Sequence, residues 1–206
     1  FEPATLPIGS VKGNIGHCRE AAGIAGLIKA ISALEHKVIP PTGNFREPNP
    51  EIPWEERCAT VSTSPKEWEE SAHPRRAGCN AFGIGGLNYH VIVEEATPQK
   101  SNFFSSTRSG VSESIKPKPS FEEKDDIAIV GMGLRVPSAS DLESFWHLLT
   151  TKKQVFQDVP KDRWSSEVYF KAGDRKTYRT YAKKGGFVTD FEANWRQYRV
   201  PPKLIE

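Results

Sequence analysis

SVKGNIGHCREAAGIAGLIKA, residues 10–30, sets a glycine-broken loop directly in front of a run of small apolar residues. The run predicts a helix over Cys18–His36, ended by Pro40 and Pro41, which cannot continue it. A helix start carries unpaired N–H groups and a partial positive charge. That charge disfavours an imidazolium beside it, so His17, read as sitting at the mouth, is expected to act as a neutral hydrogen-bond donor toward an oxyanion. Lys12 lies five residues earlier, and Asn14 and Gly16 complete the mouth. Gly23 and Gly26 fall inside the helix, where each glycine costs about 1 kcal/mol. Two of them imply a close neighbour, and so a buried helix that delivers His17 to a site.

Ile8–Val11 reads as a short strand before this loop. Beyond the helix, Pro40–Trp54 is rich in Pro and Asn and must run as extended turns. Ala59–Ser64 has strand character and Pro65–Glu70 that of a polar turn. Arg75–Cys79 leads into a second glycine loop, NAFGIGG, in which Gly83, Gly85 and Gly86 let backbone N–H groups approach a ligand. Asn88–Glu94 (NYHVIVE) reads as a largely buried strand. Thr97–Lys124 then changes to Ser, Lys, Pro and Glu without periodicity, the composition of a flexible linker. Ile127–Gly131 (IAIVG) is a continuous apolar run, expected of a strand covered on both faces. Ser138 or Ser140 is placed to cap a helix over Asp141–Leu149. Tyr169–Gly186 is basic and aromatic, and reads as a solvated or interface loop.

The 206 residues carry a net charge of +2, which gives no field to attract nucleic acid or a membrane surface. No apolar run is long enough to span a bilayer. FEPATLPIGS, at the N-terminus, lacks the pattern of a signal peptide, and a first residue other than Met is what a piece of a longer chain would show. Cys18, Cys58 and Cys79 are odd in number and lack CxxC spacing. They fit a reducing cytoplasm and give no zinc site, so no metal is expected. Gly131-Met-Gly133 lacks the third glycine of a dinucleotide loop, since Val136 stands there. His36, His73, His90 and His147 show no ligand spacing.

Three stretches together resemble one family. SVKGNIGH with its helix is similar to the catalytic Lys/His segment of β-ketoacyl synthases, the condensing enzymes of polyketide and fatty-acid synthases. RRAGCNAFGIGGLNYHVIVEE, Arg75–Glu95, resembles the closing glycine loop and last strand of that family. DDIAIVGMGLRVPSASDLESFWHLL, Asp125–Leu149, resembles its opening strand and first helix. The resemblance implies a thiolase-like layered α/β fold, present as incomplete segments: 1–96 as the C-terminal part of one domain, 97–124 as linker, 125–206 as the N-terminal part of another. A circular permutation is the other order that would place the two parts this way. Residues 183–206 resemble the polyunsaturated-fatty-acid type somewhat more than the commonest modular type.

The resemblance also implies roles. His17 would be one of two histidines binding the malonyl thioester carbonyl, and Lys12 would support it. Phe82, Gly83, Ile84, Gly85 and Gly86 would form the oxyanion and acyl-pocket loop, with the Ile84 N–H as donor. This chain departs from the family where Ile84 replaces a second Phe and Leu87 a Thr, which puts aromatic gating in doubt. The implied reaction is decarboxylative Claisen condensation of a carrier-bound acyl group with malonyl. The substrate would ride on the phosphopantetheine of an acyl carrier protein, with no directly bound cofactor. Neighbouring synthase domains and a homodimer are the implied partners. The family's nucleophilic cysteine turn and its second histidine motif do not occur in this chain, and neither Cys18 nor Cys79 sits where that nucleophile belongs. A non-catalytic inter-domain or chain-length-factor-like segment is therefore the alternative.

Overall fold

The computed structural model describes residues 6–96, 131–173, 178–189 and 191. Strand β1 (Leu6–Ile8) precedes helical turn α1 (Lys12–Ile15), a 3-10 turn (Arg19–Ala21) and helix α2 (Ala22–His36). Strands β2 (Val38–Ile39), β3 (Ala59–Val61), β4 (Lys66–Glu67), β5 (Arg76–Phe82) and β6 (Asn88–Glu94) follow, with a 3-10 turn at Trp54–Arg57. The second part holds α3 (Leu142–Thr150), β7 (Gln157–Asp158), α4 (Ser166–Tyr169) and β8 (Lys184–Gly185). Among the described residues the strands form four two-stranded sheets. β1 pairs β3 in parallel, and β2–β4, β5–β6 and β7–β8 pair antiparallel. Paired strands this few do not make, among the described residues, the wide sheets of a complete layered fold.

α2 is the axis on which the rest is packed. Its two internal glycines face β5. A Cβ on Gly23 would lie 2.9 Å from Ala81 Cβ, and one on Gly26 would lie 3.1 Å from Cys79 Sγ. The close neighbour is thus a strand carrying small side chains. The opposite side of α2 offers Ala25 and Ile28, which join Val11, Ile15, Ala139, Phe145, Leu148, Leu149 and Val155 in one buried cluster. Phe145 and Leu149 are wholly buried. The last turn of α2 ends at Lys37 in a left-handed conformation (φ 55°), whose N–H bonds back to the carbonyls of Ala33 and Leu34.

Several elements differ from expectation. The strand lies at Leu6–Ile8, before Ile8–Val11, and the front of the KGNIGH loop coils into α1. α2 begins at Ala22, so His17 and Cys18 stand ahead of it and the helix mouth is not theirs. The helix over residues 142–150 is capped by Asp141 and by neither serine expected: Asp141 accepts from Ser144 N–H at 2.7 Å while Ser144 Oγ reaches the Asp141 N–H. Asp141 is the residue that immediately precedes the helix, and Ser140 Oγ donates to its carboxylate at 3.3 Å. The carboxylate so held is kept below its usual range, chiefly by the Ser144 N–H. β6 is mostly exposed where a buried strand was expected. Its apolar residues have no cover among the described residues beyond the flank of α2 that β5 shares. The turn at Pro65–Glu70 contains β4. The apolar run Ile127–Val130, the linker 97–124, residues 174–177 and most of the final stretch lie outside the described residues.

Arg75 ties the hairpin together. It is buried, donates to Trp68 O at 2.7 Å, and grips both oxygens of Glu95 at 2.8 and 2.9 Å. That bond, first among the causes, holds the Glu95 carboxyl below the usual carboxylate range.

One buried cation has no such partner. A Cβ on Gly9 would lie 3.2 Å from Lys29 Nζ and 3.1 Å from Thr42 Oγ1, and neither atom has a hydrogen-bond partner among the described residues. Burial pulls the Lys29 amine from its ordinary 10.5 down to about 8. Below pH 8 the charge is present in both folded and unfolded states, and the folded chain carries the whole desolvation cost. Stability therefore rises as pH climbs from about 8 toward 10.5, where only the unfolded state keeps the proton. Lys29→Met is expected to stabilise the chain at pH 7 by about 2–3 kcal/mol and to flatten that rise. Urea unfolding at pH 7 and pH 10 measures both effects.

Candidate functional site

The peptide around His17 is shaped by two left-handed residues. Gly16 adopts φ 84° and Arg19 φ 49°, which turns the chain out of α1 and into the 3-10 turn before α2. Gly16 is needed there, and any Cβ on it would also lie 3.5 Å from the Phe156 ring. The turn brings the Arg19 N–H to His17 Nδ1 at 3.0 Å. A backbone N–H can only donate, so Nδ1 is the acceptor and the proton of the neutral ring resides on Nε2. The ring is thus fixed in the tautomer that offers one N–H donor away from the backbone.

His17 lines a cavity of about 730 Å³. One wall comes from residues 15–28: Ile15, Gly16, Cys18, Ala21, Ile24, Ala25 and Ile28. The other comes from the second part of the chain: Gly133–Pro137, Phe156 and Lys184–Val188. The lining is mainly apolar, with Arg135 and Lys184 as its cations. Arg135 also lies over the Phe191 ring at 5.3 Å. His17 itself is exposed, so its ring meets solvent as well as the apolar lining.

The other expected site residues are placed differently. Lys12 opens α1, is exposed, and is absent from the cavity lining; its N–H bonds to Ser10 Oγ at 3.2 Å. Asn14 was read as part of a helix mouth, but its side chain is buried and bound to Leu148 O at 3.4 Å and Lys153 O at 3.0 Å. It is a fastener between the two parts of the chain, because an amide with no solvent must spend its donors on protein carbonyls. Phe82–Gly86 makes the turn between β5 and β6, closed by Gly83 N–H to Leu87 O at 2.9 Å and Gly86 N–H to Gly83 O at 3.0 Å. Phe82 and Ile84 project into solvent, and none of residues 82–86 lines the His17 cavity. Among the described residues no hydrogen bond engages the Ile84 N–H.

Cys18 and Cys79 are half-buried, and burial raises both thiols above their usual value, the opposite of an activated nucleophile. His36 stacks on Trp146 with ring centroids 4.3 Å apart, and His90 pairs Asn80 across the hairpin at 2.6 Å. Among the described residues no group of His, Cys, Asp or Glu is arranged to hold a metal, and no helix is long and apolar enough to cross a membrane. Leu134, Phe156 and Phe187 were not foreseen as walls of the site. Nothing in their local sequence distinguishes them, since they reach it only through the packing of α3 against α2.

Three related families match along the chain: Beta-ketoacyl synthase, C-terminal domain, over residues 2–46; Ketoacyl-synthetase C-terminal extension over 48–119; and Beta-ketoacyl synthase, N-terminal domain, over 124–202. A hybrid PKS–NRPS synthetase of Aspergillus terreus is 53% identical over 95 residues, 45% of this chain and 14% of that protein. An erythronolide synthase of Saccharopolyspora erythraea is 52% identical over 91 residues, 44% of this chain and 3% of that protein. The chain therefore spans only a small share of these relatives. A solved ketosynthase from module 6 of the bacillaene synthase of Bacillus subtilis matches 45% of this chain and 17% of its own, at 44% identity and a TM-score of 0.43.

Two outcomes follow from the site geometry. Nitrogen-15 spectra of the neutral His17 ring should show Nε2 protonated and Nδ1 bare; the reverse pattern would remove the donor from the cavity. Iodoacetamide should alkylate exposed Cys58 well before Cys18 or Cys79, as peptide mapping of a time course would show.

Proposed function

We propose that this chain, which belongs to the β-ketoacyl synthases of polyketide-synthase type, carries the histidine half of a condensing site. The observation behind this reading is the fixed tautomer of His17, whose Nδ1 is held by the Arg19 N–H while the ring lines an apolar cavity. A malonyl thioester that loses CO₂ leaves an electron pair on its α-carbon. That pair delocalises onto the thioester oxygen as an enolate. An N–H donor at that oxygen stabilises the enolate more than the starting carbonyl, and so lowers the barrier. The carbanion then attacks an acyl thioester held on a cysteine from another part of the synthase, and the thiolate leaves. The Ile84 N–H is suited to take the oxyanion of that second step once the rest of the domain brings the turn to the acyl group. Lys12 supplies positive charge to the same loop.

The complete domain has a thiolase-like layered fold; residues 1–96 are the C-terminal part of one such domain and 125–206 the N-terminal part of another, joined by 97–124. Its substrates arrive on the phosphopantetheine arm of an acyl carrier protein, and it works in the cytoplasm beside neighbouring synthase domains as a homodimer. His17→Gln in the full-length synthase should lower decarboxylation of malonyl carrier protein at least ~100-fold. Acylation of the synthase's cysteine by an acyl thioester should persist. Unchanged decarboxylation would remove His17 from the reaction.

A further inference from the structure

Lys29 Nζ and Thr42 Oγ1 are buried side-chain atoms without a hydrogen-bond partner among the described residues. They come from different elements, α2 and the loop after β2, and they converge on one point. That point is the place of the side chain that Gly9 lacks: Thr42 Oγ1 is 3.1 Å from it and Lys29 Nζ 3.2 Å. Asn14 Oδ1, also buried without a partner, lies farther from it and is 3.0 Å from the corresponding point on Gly43. Glycine at position 9 answers no demand of the backbone. Its φ lies outside the left-handed region that Gly16, Gly86 and Gly173 occupy. What glycine supplies here is room. Gly9 itself is exposed, so a small ion has a short way in from solvent.

We propose that Lys29 and Thr42 bind one halide ion, chloride in ordinary buffer, in the space that Gly9 leaves. The donors fit that ligand. An ammonium carries three N–H donors and no acceptor, and a threonine hydroxyl can turn its proton toward the same point. Both atoms lie within 3.2 Å of that point, so a single acceptor reaches both. Charge selects an anion over a water molecule. Among the described residues no acid pairs with Lys29, and a buried charge left alone is costly. Size selects a single atom, because two side-chain tips and a backbone stand at contact distance around the space of one methyl group. With its amine at about 8, Lys29 keeps most of its positive charge at pH 7 and so its attraction for the ion. The bound halide ties α2 to the end of β1 and to the loop after β2. Gly9 lies three residues before Lys12, so this tie holds the chain where it enters the KGNIGH loop.

The test follows urea unfolding of the 206-residue chain at pH 7 as sodium chloride replaces sodium gluconate at constant ionic strength. Gluconate is too large for the space. The midpoint should climb with chloride and then level off. At a concentration about ten times its Kd, chloride should raise the folded-to-unfolded ratio about tenfold. Lys29→Met removes the ammonium and Gly9→Ala fills the space. Each should abolish the climb and leave only the general salt effect that every variant shares. The advantage of Lys29→Met over the parent chain should accordingly be largest in gluconate. A climb of equal size in Lys29→Met, or none in the parent chain, would overturn the proposal. The anomalous signal of bromide in soaked crystals gives a direct reading. A peak is expected within hydrogen-bond reach of both Lys29 Nζ and Thr42 Oγ1, and a soaked crystal without one would overturn the proposal as well.

Discussion

Asn14 has no exposed surface, and its amide hydrogens go to carbonyls 134 and 139 positions further along the chain. Those bonds hold α1 to a carbonyl of α3 and to one of the turn after it. A buried amide without acceptors costs about 1–3 kcal/mol, so α1 cannot sit where it does unless α3 and the turn after it are in place. The same constraint holds the turn that follows. α1 ends at Gly16, and the left-handed step there sets His17 against the Arg19 N–H. The tautomer of the histidine is thus tied, through one turn of chain, to the packing of a helix far away in sequence.

α2 satisfies two neighbours with two kinds of surface. Toward β5 it shows glycine, which lets Ala81 and Cys79 approach to distances that no Cβ would tolerate. Toward α3 it shows Ala25 and Ile28, which bury area in the ordinary way. The glycines cost helix propensity, and the close packing of the strand offsets that cost. Lys29 lies on the same helix with no partner for its charge. Its buried ammonium is the cost that this helix carries in the folded chain.

The hairpin of β5 and β6 shows how an exposed strand can still be well defined. Seven residue pairs fix its register, and Arg75 with Glu95 locks its open end. Its turn bears Phe82 and Ile84 outward. Burial could not have set that geometry. The glycines and the closing hydrogen bonds did, which is why the turn is well formed although Phe82 and Ile84 are exposed.

Local chemistry was enough to place a helix that ends at His36 before the proline pair, the glycine loop of NAFGIGG with the strand after it, and the helix after Asp141. These depend on propensity, proline and glycine at short range, and so does the nomination of His17. Other features could not be read from the chain. The sequence does not say that α2 starts at Ala22, because residues 18–21 are good helix formers and only the left-handed Arg19 breaks the run. It does not say that β6 is exposed, because an apolar strand looks the same whether or not its cover is present. It does not say that Asn14 is a fastener or that Phe156 and Phe187 wall the His17 cavity. Those roles come from contacts between residues more than a hundred positions apart, and only folding brings such pairs within reach.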